Sequence, residues 1–216
     1  MWSAGPAPRP PGGVRRGGLE LRLGLVPGMR VGLFGGSFDP AHEGHAHVAE
    51  TALTRLRLDK VIWLVSPQNP LKSAAESASL TARMASARRM ARGPHMIVSD
   101  IEHRVGSRYT IDILRILKQR FPGVRFVWIM GADNLASLHS WRGWAQIMRE
   151  MPVAVIARPG AELKSRSSPA ARRFAHARLS SREAPRLAGR RSPAWLYLRA
   201  PFNFASSTAL RARLKA

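Results

Sequence analysis

Short apolar runs recur along this chain, each followed by a segment of helical character, and that alternation restricts the fold more than any other feature. The runs fall at 30–34, 61–65 (Val-Ile-Trp-Leu-Val), 95–98, 125–130 (Arg-Phe-Val-Trp-Ile-Met), 153–157 (Val-Ala-Val-Ile-Ala) and 195–198. Helical patterns follow at about 45–56, 80–92, 110–120, 143–149 and 206–214. Strands that are apolar on both faces belong to a parallel sheet covered by helices on both sides. The expectation is an α/β protein with a doubly wound, Rossmann-like parallel sheet, whose ligands bind outside the carboxyl ends of the strands. No internal repeat interrupts the rhythm.

At 216 residues the chain suits one domain with a sizeable core. Residues 1–28, rich in Pro, Gly and Arg, read as a disordered basic leader, and 29–216 as the folded domain. Within it, 160–193 holds many arginines with Pro169, Pro185 and Pro193, and reads as a mobile basic excursion on the surface. No apolar run reaches the ~20 residues of a membrane span, and the N-terminus has no signal-peptide pattern. The absence of cysteine excludes disulfides, thiolate metal sites and cysteine nucleophiles. A cytoplasmic location is the expectation. The sequence sets no oligomeric state and leaves room for a homo-oligomer.

Thirty-five basic residues against thirteen acidic ones give a formal charge of +22. Such a balance fits either a nucleic-acid partner or a coding bias that also enriches Ala, Gly and Pro. The arginines are spread rather than interleaved with aromatic stacking platforms, so no nucleic-acid partner is expected.

The chemistry concentrates in one stretch, Gly35-Gly36-Ser37-Phe38-Asp39-Pro40-Ala41-His42-Glu43-Gly44-His45. It joins the run at 31–34 to the helical segment after His45. Strand, glycine turn and helix together aim backbone N–H groups and a positive helix end at an anion, most often phosphate. Imidazoles at His42 and His45 add hydrogen-bond donors there. The spacing of three separates this pair from the i, i+4 histidines of the zinc motif H-E-x-x-H, and no metal site is expected.

This stretch resembles the nucleotidylyltransferase superfamily pattern G-x-F-(D/N)-P-x-(H/T)-x-G-H. Phe38, Asp39, Pro40, His42, Gly44 and His45 all fall in place. Within the superfamily the downstream stretches resemble the bacterial nicotinate-nucleotide adenylyltransferase family. The resemblance implies that Gly35, Gly36, Ser37, Phe38, His42 and His45 bind ATP, with the histidines also catalytic. Ser66-Pro67-Gln68-Asn69-Pro70-Leu71-Lys72 is similar to the family's P-x-x-x-P-H-K loop, with Leu71 in place of the histidine. Lys72 would then put a point charge on the phosphates. Ala205-Ser206-Ser207-Thr208-Ala209-Leu210-Arg211 resembles the ending I-S-S-T-x-I-R, which implies that Ser206, Ser207, Thr208 and Arg211 hold the β- and γ-phosphates.

Other stretches keep two readings. Tyr109 and Thr110 flank the pyridine nucleotide in the family, while Thr110 is also an N-cap candidate. Asp133, in Met130-Gly131-Ala132-Asp133-Asn134, accepts from ribose hydroxyls or caps a short helix. Trp141 stacks on the nicotinate ring or packs in the core, as Trp144 and Trp63 are expected to do. Thr81 to Met84 begins a helix, with Met84 assigned to packing and Arg83 given no role.

The resemblance implies adenylyl transfer from ATP to nicotinate mononucleotide, with magnesium arriving on the ATP phosphates. The rivals are the same fold acting on nicotinamide mononucleotide or phosphopantetheine, and a basic nucleic-acid-binding module without catalysis.

Overall fold

The computed structural model describes residues 23–67, 78–107, 109–157 and 162–199. Its centre is a seven-stranded sheet in the order β3-β2-β1-β4-β5-β7-β6. The strands are β1 (Arg30–Gly36), β2 (Lys60–Val65), β3 (Met96–Ser99), β4 (Arg125–Gly131), β5 (Val153–Ile156), β6 (Arg178–Leu179) and β7 (Trp195–Leu198). Every neighbouring pair is parallel. The doubly wound expectation therefore holds, and the strands match the expected runs except for β6, a two-residue edge strand too short to leave a pattern.

Alternation along each strand feeds two cores. Leu33, Ile62, Leu64, Trp128, Met130, Val153, Val155 and Trp195 face one side. Phe34, Val61, Trp63, Val127, Ile129, Ala154, Ile156 and Leu196 face the other. The second side is covered by α1 (Glu43–Arg55), α2 (Leu80–Met90) and a 3₁₀ segment, Ser181–Gly189. The first is covered by α3 (Ile101–Arg104), α4 (Thr110–Arg120), α5 (Ala132–Ser137) and α6 (Trp144–Glu150), together with α7 (Glu162–Arg166) and α8 (Pro169–Arg173). A buried apolar face of this kind is worth ~25 cal/mol per Å² removed from water, which is why period-2 strands inside a helical wrap are stable.

The chain runs from β1 outward to β3, then crosses to β4 on the other side of β1. The order reverses between β1 and β4, and the crevice at their carboxyl ends is where such sheets take ligands. Phe34 pairs with Ile129, so Gly36 and Gly131 end the two strands at the same level.

Two expectations need correction. The folded body does not start at 29: Leu23 and Leu25 are buried, Lys60 Nζ donates to the carbonyls of Leu23 and Gly24, and Gly28 N donates to Gly123 O. Two leucines two residues apart find a core even amid Gly and Pro, because each buried leucine is worth about 2 kcal/mol. Residues 162–193 are not a loose excursion either. Ala170, Phe174, Ala184, Leu187 and Ala188 are buried, while every arginine from Arg166 to Arg191 is exposed. Pro169 sits at the start of α8, where its missing N–H costs nothing, and Ser168 caps that helix by accepting from Ala171 N. The expected helix at 206–214 lies outside the described residues.

Candidate active site

Gly35 and Gly36 end β1 because side chains do not fit there. A Cβ on Gly35 would come within 2.3 Å of the Trp128 ring, and one on Gly36 would meet the Phe38 ring at 3.0 Å. Phe38 adopts a left-handed backbone, φ +48°. That conformation costs a non-glycine residue about 1–2 kcal/mol. Packing offsets it: Phe38 is buried, with its ring 5.4 Å from Phe34 and 5.1 Å from Trp63. The bend returns the chain over the sheet end and delivers it to α1.

α1 starts two residues earlier than expected, because His42 caps it. His42 Nδ1 accepts from Gly44 N at 3.1 Å, and His45 Nδ1 accepts from His42 N at 3.2 Å. This is a capping box built from two imidazoles, whose rings lie 3.9 Å apart. An accepting Nδ1 leaves the proton on Nε2 in the neutral ring, so the reciprocal cap fixes both tautomers as Nε2–H donors. His42 is buried and His45 half-buried, its ring edge-on to Phe38 at 5.0 Å. The Gly44 N–H is used by this cap.

A buried arginine underlies the turn. Arg83 of α2 is 2% exposed. Its Nε donates to Ala78 O, Nη1 to Ser37 O and Ser66 O, and Nη2 to Pro67 O. Ser86, one turn of helix away on α2, accepts from Ala41 N and donates to Phe38 O or Arg83 O. Burial lowers the Arg83 pKa, while the charges of Asp39 and Glu102 hold it up. Glu102, in α3, is itself buried, and burial pushes its carboxyl up to about 7 against the pull of Arg83. Residue type and spacing alone do not place Arg83 in the site. The signal was present, since Arg83 falls in the stripe of α2 that also carries Met84 and Ala87. Arginine at a core-facing position needs polar partners.

Across the switch point, Asp133 lies exposed in the first turn of α5. The N-cap there is Gly131, so Asp133 complements the helix dipole and does not cap. Thr110 is likewise the first residue of α4 after the cap position Tyr109, and no side chain caps that helix. Ser107 Oγ instead accepts from Tyr109 N and donates to Asp112. Tyr109 and Trp141 are both half-buried against the first core, and the Arg142 guanidinium stacks 4.3 Å above the Tyr109 ring. A Cβ on Gly143 would lie 3.1 Å from Ile111, which shows how closely the 141–143 turn sits on the start of α4. Trp63 is a core residue as expected, whereas Trp144 is half-buried, edge-on to Phe174 and under Arg173.

The structure thus gathers Gly35, Gly36, Ser37, Phe38, His42 and His45 on one side of the sheet end, and Tyr109, Thr110 and Trp141 on the other. Lys72, Ser206, Ser207, Thr208 and Arg211 lie outside the described residues. A basic cleft of about 480 Å³, lined by Arg55, Arg166, Arg178, Arg199, Ser180 and Tyr197, is a separate feature. Arg55 ends α1, roughly 18 Å along the helix from the histidines.

A helix capped by two imidazoles thus stands at the switch point of a parallel sheet, where such folds take nucleotide ligands. The family described as cytidylyltransferase-like matches residues 33–213. The chain is 72% identical over 185 residues, 86% of its length and 98% of the relative's, to a protein of Caulobacter sp. (strain K31) named "Probable nicotinate-nucleotide adenylyltransferase". A Cereibacter sphaeroides protein of the same name is 56% identical, covering 85% of this chain and 97% of its own. The chain belongs to the nicotinate-nucleotide adenylyltransferase family. Its fold is also that of Plasmodium falciparum nicotinic acid mononucleotide adenylyltransferase, solved with NaAD, at a TM-score of 0.63 and 17% identity over 85% of this chain and 83% of that one.

Proposed function

We infer that this enzyme transfers the adenylyl group of ATP to the 5′-phosphate of nicotinate mononucleotide, forming deamido-NAD for NAD biosynthesis and releasing pyrophosphate. The observation that carries this reading is the 72% identity across almost the whole of a relative with that name. The geometry supports it. A phosphate monoester is already a nucleophile, so the site needs no general base. It has to hold two anionic groups in line and neutralise the charge that develops as the bond to pyrophosphate breaks.

His42 and His45 suit that task as neutral donors, because their tautomers are set before any ligand arrives and need no reorganisation. We assign their Nε2–H groups to the phosphates of ATP, alongside the glycine turn from Gly35 to Phe38. Asp133 is assigned to ribose hydroxyls, and Tyr109, Thr110 and Trp141 to the pyridine ring. Lys72, Ser206, Ser207, Thr208 and Arg211 are proposed phosphate ligands on the strength of their motifs. Magnesium belongs to the substrate as Mg–ATP; among the described residues no group of three or more His, Asp or Glu could hold a metal. We propose a cytoplasmic location for the reaction.

The test is pyrophosphate release from ATP with nicotinate mononucleotide, nicotinamide mononucleotide and phosphopantetheine offered in turn. Preference for the acid is expected. Faster turnover with either other acceptor would overturn the assignment.

A further inference from the structure

Two loops leave adjacent strands at the same end of the sheet. One follows β1 and carries Ser37, Phe38 and the two histidines; the other follows β2, begins with Ser66 and Pro67, and leads in sequence to Lys72. They touch directly: Ser66 N and Ser66 Oγ both donate to Gly36 O. Beneath them lies the Arg83 guanidinium, which is closed to solvent.

A guanidinium has five N–H donors in a rigid plane. Four of those in Arg83 go to backbone carbonyls, and the acceptors belong to three separate pieces of chain. Ser37 O, at 2.9 Å, is on the β1 loop; Ser66 O, at 2.6 Å, and Pro67 O are on the β2 loop; Ala78 O, at 3.0 Å, precedes α2. Ser37 and Ser66 share a single nitrogen, Nη1. The spacing of the two loops is therefore set by the width of one NH₂ group. In a trans peptide the N–H points opposite to the C=O. Drawing the Ser37 carbonyl inward to Arg83 turns the Phe38 N–H the other way. Without the guanidinium, half-buried carbonyl oxygens of both loops would lose their partner and would turn toward water. Water at this end of the sheet is where the phosphates are held, and a carbonyl dipole there repels them.

We propose that Arg83 is a positioning residue for adenylyl transfer: its buried guanidinium gathers the carbonyls of Ser37, Ser66, Pro67 and Ala78, and so fixes the β1 turn, with its proposed phosphate-binding groups, against the start of the β2 loop. This rests on the adenylyl-transfer reading of the same site. Asp39, joined by Glu102 as it ionises above about pH 7, supplies the negative charge that makes a buried cation tolerable there. Lysine does not replace arginine in this role, because its donors radiate from one atom and do not span three chain segments.

The experiment uses the full chain, as parent, Arg83→Lys and Arg83→Ala, with Mg–ATP and nicotinate mononucleotide. Pyrophosphate release is followed alongside the melting temperature of each protein. Parent turnover tests the reading of the reaction by itself; the variants are judged only relative to the parent. Arg83→Lys is expected to melt as one cooperative unit and to lose roughly 10²-fold in kcat, because a displacement of about 1 Å in positioning costs that much. Both KM values should change by much less, since the binding groups remain. In Arg83→Ala, millimolar guanidinium chloride should restore part of kcat, and ammonium chloride at equal ionic strength should not. Parental kcat in Arg83→Lys overturns the proposal. So does a kcat loss in both variants that merely tracks the fraction unfolded at the assay temperature, or equal rescue by ammonium.

Discussion

Arginine does opposite things in two regions of this molecule. Under the β1 and β2 loops a single arginine, Arg83, is sealed from water and bound to the carbonyls of three chain segments. Along 162–199 the arginines are all exposed, and alanines, Phe174 and Leu187 beneath them make the core. The first region is organised by hydrogen bonds in a low-dielectric setting, where an unpaired group is expensive. The second is organised by apolar burial, with charge left in water, where it is screened and worth little. The chain's excess of positive charge therefore says little about where its chemistry is; the position of one arginine says more.

The sharpest way to break this comparison is His45→Ala. Loss of a pre-oriented donor should cut kcat by roughly 10²-fold or more. The same change deletes the acceptor that caps His42 N, so chemical denaturation should show a loss of about 1 kcal/mol. A parental kcat would remove the histidine from the chemistry.

Glu102 tests the polar region through pH. Its folded pKa, pushed up to about 7, lies above the usual carboxylate value, so the fold favours the protonated form. Its contribution is fully present below about pH 4.5 and is lost as pH rises through 7. The change amounts to about 3 kcal/mol across that window, as an order of magnitude. Glu102→Gln should therefore gain on the parent from about pH 4.5 to 7 and level off above that. A stability difference that does not vary with pH would mean that Glu102 does not titrate in this range.

Trp141 samples the face that residues 162–174 help to build. Trp141→Ala should raise KM for nicotinate mononucleotide by about one to two powers of ten, with little change for ATP. Equal weakening of both substrates would make it a packing residue of the α4–α6 contact. The smallest effect belongs to the exposed arginines. Arg55→Gln with Arg166→Gln should alter stability by less than ~0.5 kcal/mol and kcat/KM by about twofold at low salt, vanishing at high salt. A loss that persists at high salt would show that the basic cleft takes part in the reaction.

The order of strands and helices was legible from the sequence alone, because continuous apolar runs separated by helical segments have few ways to bury themselves. The glycine turn and His42, Gly44 and His45 were legible too, because close backbone approach and imidazole donors need particular residue types at fixed spacing. Tertiary structure alone decided the rest. It made His42 and His45 cap one another and so fixed which nitrogen carries each proton. It recruited Leu23 and Leu25 from a stretch whose composition spoke against order, and folded 162–193 around alanines that no periodicity announced. It also gave Arg83 its partners, which come from residues 37, 66, 67 and 78. For Arg83 the physical reason is that most of its partners lie far along the chain and are backbone carbonyls, which every residue carries and which leave no trace in a sequence. The histidine cap is local, but residue type alone does not say that an imidazole takes the capping place more often held by Ser, Thr, Asp or Asn.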